Sequence, residues 1–182
     1  MAKKTEKTKT VKKESKSDFA LGLMVSDRVQ LMDVRLINCK CEQKPEAIKG
    51  EKFYDITHSA NVNVDKEKGY LLVFAQFHFK SGSNKQITEP MIIIEATFLL
   101  VYEIDDFEGL NKAAFEQFAN LNGIYNAWPY WRELVQNTIS RMELPPLTIP
   151  VFRITKTIKK KTASKKAKAK KVLKKTKVSK QT

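Results

Sequence analysis

Between residues 29 and 104 apolar and polar positions alternate with the two-residue period of half-buried strands. The first run, Val29 to Glu42, slips near Val34. Beyond the slip Ile37, Cys39 and Cys41 share one side and Asn38, Lys40 and Glu42 the other, which predicts a long strand with a bulge or kink. Pro45 and Gly50 mark a loop. Ile56, His58, Ala60, Val62 and Val64 then alternate with Thr57, Ser59, Asn61 and Asn63 in a second strand, and residues 65–69 form a turn. A third strand over 70–80 has Leu71, Val73, Ala75, Phe77 and Phe79 on its apolar face and Gln76, His78 and Lys80 on its wet face. Ser81-Gly82-Ser83-Asn84 reads as the next turn. A fourth strand over about 91–104 carries Ile92, Ile94, Ala96, Phe98, Leu100 and Tyr102 on one side. Its other side mixes Ile93, Thr97, Leu99 and Val101 with Glu95 and Glu103. Four long strands with short turns predict an antiparallel meander or Greek key.

The period then changes. Leu110, Ala114, Phe118 and Leu121 fall at helical spacing, with Gly123 as the expected stop. Phe115 and Phe118 beside Ala114 give this helix an apolar face that should seek a partner. A second helix is expected from about Asn126, with Pro129 in its first turn, a stripe of Trp128, Trp131, Val135, Thr138 and Met142, and Pro145-Pro146 as its end. Strands followed by helices predict an α+β fold, a four-stranded antiparallel sheet with two helices on one face.

Charge adds a division that periodicity does not show. The chain has 182 residues and a formal net charge of +14, which on its face suggests a nucleic-acid binder. The charge is segregated, however. Residues 1–16 hold seven Lys and two Glu, and residues 153–182 hold fourteen Lys or Arg and no acid. That leaves thirteen bases against eighteen acids in 17–152. The expected organisation is a basic tail over 1–16, a mildly acidic folded domain over 17–154, and a Lys-rich tail over 155–182. Tails of this composition are expected to be disordered in isolation and to bind polyanions. No run of about 18 apolar residues predicts a membrane span, and Leu21 to Val25 is too short for the apolar stretch of a signal peptide, so a cytoplasmic protein is expected.

Catalytic chemistry finds little to work with. There is no phosphate loop, dinucleotide fingerprint, HExxH or GxSxG, so neither an enzyme nor a cofactor is expected. Asp105-Asp106 are sequence neighbours that point apart and suit a solvated loop. Zinc would need Cys39, Cys41, His58 and His78 together, yet the cysteines and His78 are predicted on opposite faces; no metal site is expected, and reduced thiols are. The aromatic stretch 125–131 can be core or the lining of an exposed apolar groove.

Residues 118–151, FANLNGIYNAWPYWRELVQNTISRMELPPLTIPV, resemble the C-terminal half of the SecB family of export chaperones. The matching positions are Trp128, Pro129, Tyr130, Arg132 and Glu133, then Ser140 and Arg141, then Pro145, Leu147, Ile149, Pro150 and Val151. Gln30, Leu31, Val34 and Glu42 fit the family's opening strand, so the resemblance spans about 28–152. It implies a twisted four-stranded sheet with two helices, a homotetramer built as a dimer of dimers, and ATP-independent holding of unfolded polypeptides such as export preproteins. It also implies a docking patch for the SecA translocase motor at Glu42, Ile93 and Glu95. Asn38 stands where the family has an acid, and the family's third helix is replaced by Lys-rich sequence after Phe152. Client peptides are expected in a groove between the sheet edge, the 36–56 crossover and the second helix, against Phe53, Tyr54, Ile56, Trp128 and Phe152. Two other readings stay open: a nucleic-acid or ribosome adaptor that uses a SecB-like domain as a platform, and a dedicated chaperone for one antitoxin.

Overall fold

The computed structural model describes residues 18–45 and 53–153. The expected tails and the loop centred on Gly50 lie outside the described residues. Helix α1 (Asp18–Ser26) leads into strands β1 (Val29–Gln43), β2 (Phe53–Asp65), β3 (Tyr70–Gly82) and β4 (Ile92–Ile104). Helix α2 (Lys112–Phe118), a π-helical turn (Ala119–Gly123) and helix α3 (Ile124–Arg141) follow. All strand pairings are antiparallel, in the order β1-β4-β3-β2. Three hairpin-linked strands with the first strand beside the last make a Greek key.

The apolar faces of β3 and β4 are buried as their alternation predicts: Leu71, Val73, Ala75 and Phe77, with Ile94 and Leu100, are fully buried. The helical layer covers them. Trp131 stacks on Phe77 with ring centroids 5.2 Å apart, and Phe118 meets Tyr102 edge-on. Asn126 donates a hydrogen bond to the Tyr102 hydroxyl at 3.0 Å, while burial pushes the phenol up to about 12. In β1 the slip resolves into two irregularities, one on each side of Val34, between Leu31 and Asp33 and between Leu36 and Asn38. Met32 and Ile37 are the extra residues. Cys39 and Cys41 therefore share the helix side with their partners Ala96 and Ile94, and Ile37 does not belong to their row.

Several expectations need correction. Strand β3 runs on through Ser81 and Gly82, and Ser81 is buried in register with Ile92. Gly82 sits where a Cβ would lie 3.1 Å from the Ile87 side chain and 3.2 Å from the Glu89 carbonyl. Leu110 precedes α2, which starts behind an Asn111 cap whose side chain accepts from Ala114 N. Gly123 does not stop a helix. Its backbone is helical (φ −60°, ψ −49°), and the chain passes through it from the π turn into α3. Pro129 thus lies in the interior of α3, on its outward side beside exposed Tyr125, to whose carbonyl it offers no N–H. Ile139 takes the buried place assigned to Thr138. The helix ends at Arg141, before the prolines, because Glu143 adopts a left-handed φ of +57° and Leu144 N donates back to the Ile139 carbonyl.

Helix α1 was not foreseen. It lies on α2, with Gly22 close to the Gln117–Phe118 backbone and to Leu121. Ala114, Phe115 and Phe118, the face expected to seek another subunit, are buried within this one chain.

Candidate functional site

Helix α3 lies over β2, β3 and β4, and β1 overhangs at the sheet edge. The overhang leaves apolar side chains uncovered: Leu31 and Leu36 on the helix side and the bulge residues Met32 and Ile37 are all exposed. Two hollows border the outward side of α3. One of about 240 Å³ is lined by Val34, Leu36, Phe98, Tyr130, Glu133 and Leu134. The other, about 390 Å³, lies among Leu31, Tyr125, Trp128, Tyr130, Arg132 and Phe152. Tyr130, 46% exposed, borders both. Apolar surface with a few polar groups at its rim suits binding better than bond chemistry.

After α3 the chain turns back along it as a strap. Trp128 Nε1 donates to the Pro150 carbonyl at 2.8 Å, and Arg132 Nε donates to the Ile149 carbonyl at 2.9 Å. These two side chains, four apart on one helix side, hold the main chain of the strap. Phe152 closes against Trp128 (5.1 Å between centroids) and against His58 of β2 (5.3 Å). His58 also meets Trp128 edge-on at 5.9 Å. Its surroundings are aromatic, and burial lowers its pKa from the ordinary 6.5.

On the opposite face of the sheet, Glu42 and Ile93 are direct cross-strand partners, and Glu95 lies opposite Lys40. Glu42 pairs with Lys40 at 3.0 Å, and Glu95 faces His78 Nδ1 at 3.3 Å. On the helix side the thiols of Cys39 and Cys41 lie 3.6 Å apart. Burial and the neighbouring thiol push Cys39 up to about 11.

No family model matches the chain. It is 24% identical over 149 residues to the SecB-like chaperone Rv1957 of Mycobacterium tuberculosis strain H37Rv, covering 72% of this chain and 82% of that protein. The SecB-like chaperone MT2006 of strain CDC 1551 matches equally. In structure the chain superposes on the Rv1957 SecB-like chaperone, solved in complex with a ChAD peptide from the Rv1956 HigA1 antitoxin. The TM-score is 0.66 at 22% identity, over 75% of this chain and 98% of that one. The chain resembles the SecB-like chaperones in sequence and shares their fold.

This SecB-like sheet separates the residues expected in the client groove. Trp128 and Phe152 are in contact and border the larger hollow. Tyr54 and Ile56 share the helix side of β2, where Tyr54 stacks on Phe79 at 5.9 Å, but neither borders the hollows. Phe53 points to the open face, with Lys85 over its ring at 6.0 Å. Adjacent strand residues face opposite ways, so Phe53 and Tyr54 cannot line one groove. Glu42, Ile93 and Glu95 do come together on the open face, each acid beside a base. The four residues weighed as zinc ligands do not meet: the cysteines sit on edge strand β1, His58 on the opposite edge strand and His78 on the open face. Of the hollow residues, Leu31 and Leu36 were not singled out as groove contacts, and Tyr130 entered as one only within the aromatic stretch 125–131. A signal existed in the apolar doublets Leu31-Met32 and Leu36-Ile37, which break the alternation where β1 bulges.

Proposed function

We propose that this SecB-like chain is a chaperone that holds an extended segment of a partner polypeptide along α3, and that its client is a dedicated one of the antitoxin type rather than export preproteins in general. The observation that carries the reading is the pair of hollows joined at Tyr130, uncovered and apolar, between the overhang of β1 and the outward side of α3. The length of α3, 18 residues, presents room for a segment rather than for a small molecule. A peptide bound there would place apolar side chains in each hollow and meet Glu133 and Arg132 as polar rims. The antitoxin type of client is supported by the ChAD peptide in the complex of the structurally similar chaperone.

The test is fluorescence anisotropy with a labelled ChAD peptide from the HigA1 antitoxin, alongside an assay of a denatured export preprotein. Tight, saturable peptide binding with weak protection of the preprotein is expected. Leu36→Ser and Tyr130→Ser should each weaken peptide binding about tenfold, which corresponds to ~1.4 kcal/mol, without moving the unfolding midpoint, since both side chains are exposed. Loss of binding on Tyr54→Ser instead would move the groove to the β2 edge. Binding to neither client would remove the chaperone reading.

A further inference from the structure

Cys39 and Cys41 border neither hollow. We propose that the two thiols form a binding site for a thiophilic divalent cation of the zinc or cadmium class. Cross-strand register places both on the helix side of β1, opposite Ala96 and Ile94. Both thiols are open to solvent on this edge strand, although cysteine is among the residue types most often buried. Strand β1 is a sheet edge, so a cation approaches from its outer flank without displacing a strand.

The geometry favours a metal over a disulfide. With metal–sulfur bonds of about 2.3 Å, the separation of 3.6 Å subtends an angle of about 100° at the metal, near the tetrahedral value. A disulfide would need the sulfurs about 2.05 Å apart. It would also have to span residues two apart on a strand, about 6.7 Å between Cα atoms, at the far limit of bridged pairs. Two thiolates neutralise a divalent cation, so the bound unit carries no net charge where its strand partners are Ala96 and Ile94. Binding releases one proton from each thiol to solvent and changes no oxidation state. Among the described residues no third His, Cys, Asp or Glu joins the pair. The remaining coordination positions therefore fall to water or donors from solvent, the arrangement of an exchangeable rather than a structural site.

The experiment is a titration of the reduced full chain with cadmium, followed by thiolate-to-cadmium charge-transfer absorption in the ultraviolet. The chain has two cysteines in all, so any such signal reports this pair. Saturation at one cadmium per chain is expected, with zinc competing. Cys39→Ser and Cys41→Ser should each weaken binding at least tenfold, and the double variant should lose the signal. The far-ultraviolet circular dichroism should be unchanged, since both side chains are exposed. Single variants that bind cadmium as tightly as the parent would overturn the two-thiolate site. So would reduced parent protein in which both thiols count as free yet give no charge-transfer band.

Discussion

One missing side chain lets the helical layer settle on the sheet. A Cβ at position 123 would lie 2.7 Å from Cγ1 of Val73, a distance that side chains do not tolerate. In a free helix alanine would be preferred over glycine by ~1 kcal/mol. Here the clash should win: Gly123→Ala is expected to lower stability by ~1–3 kcal/mol, read from the urea unfolding midpoint. Adding Val73→Ala should recover part of that loss, giving a favourable coupling in the double-mutant cycle. A Gly123→Ala protein more stable than the parent would show that the approach is not close. In the sequence this glycine reads as a helix stop, because glycines that permit a positive φ and glycines that permit close contact look alike. The actual stop, Glu143, gave no sign, since nothing about a glutamate announces a left-handed backbone.

Among the elements, the four strands were legible because a buried face writes itself into period two, and β3 and β4 bury one face completely. Helix α1 was not legible. It spans nine residues, DFALGLMVS, apolar nearly all round, so no face stands out by periodicity and only its contact with α2 reveals its role. The strap was legible only through its resemblance to the SecB exit. Its docking makes a pH prediction. With burial holding the His58 pKa below 6.5, the unfolded chain takes up the proton first as pH falls. Stability contributed by the neutral ring is therefore whole above 6.5 and drains away as pH falls toward the folded value. Phe77, Trp128 and Phe152, which touch the ring, carry no charge; Arg132 of α3 holds the strap, and on the other face of the sheet His78 lies one strand pair away and Asp55 three. The urea midpoint should fall between about pH 7.5 and 5.5, and fall less in His58→Gln. An identical slope in the variant would assign the effect to other groups.

At the scale of the molecule, segregated charge was readable by counting, but the balance of the open face was not. Glu42, Ile93 and Glu95 meet there as expected, yet Lys40 already pairs with Glu42, and Glu95 faces His78 Nδ1. We propose this patch as a docking place for a basic partner such as a translocase motor. Glu42→Lys with Glu95→Lys should then weaken association and reduce its salt sensitivity, measured by surface plasmon resonance at two ionic strengths. Unchanged binding would remove the patch. A tetramer, implied by the resemblance, loses the support drawn from α2, whose apolar face is already buried within this one chain.

The two rims of the sheet are not equivalent. Asn120, in the π turn, donates to the Glu116 carbonyl, and its side-chain oxygen accepts from the main-chain N–H of Ala60, in the middle of β2. A side chain thus sits where an incoming strand would have to pair, while β1 carries no such plug among the described residues. Cross-β fibrils grow because every added strand offers a fresh edge to the next. In this molecule a strand joined at β1 would meet a stoppered rim on the far side, so growth by edge pairing would end after a single step. The exposed apolar surface beside β1 is then bounded by an edge that pairs once rather than one that seeds a fibril.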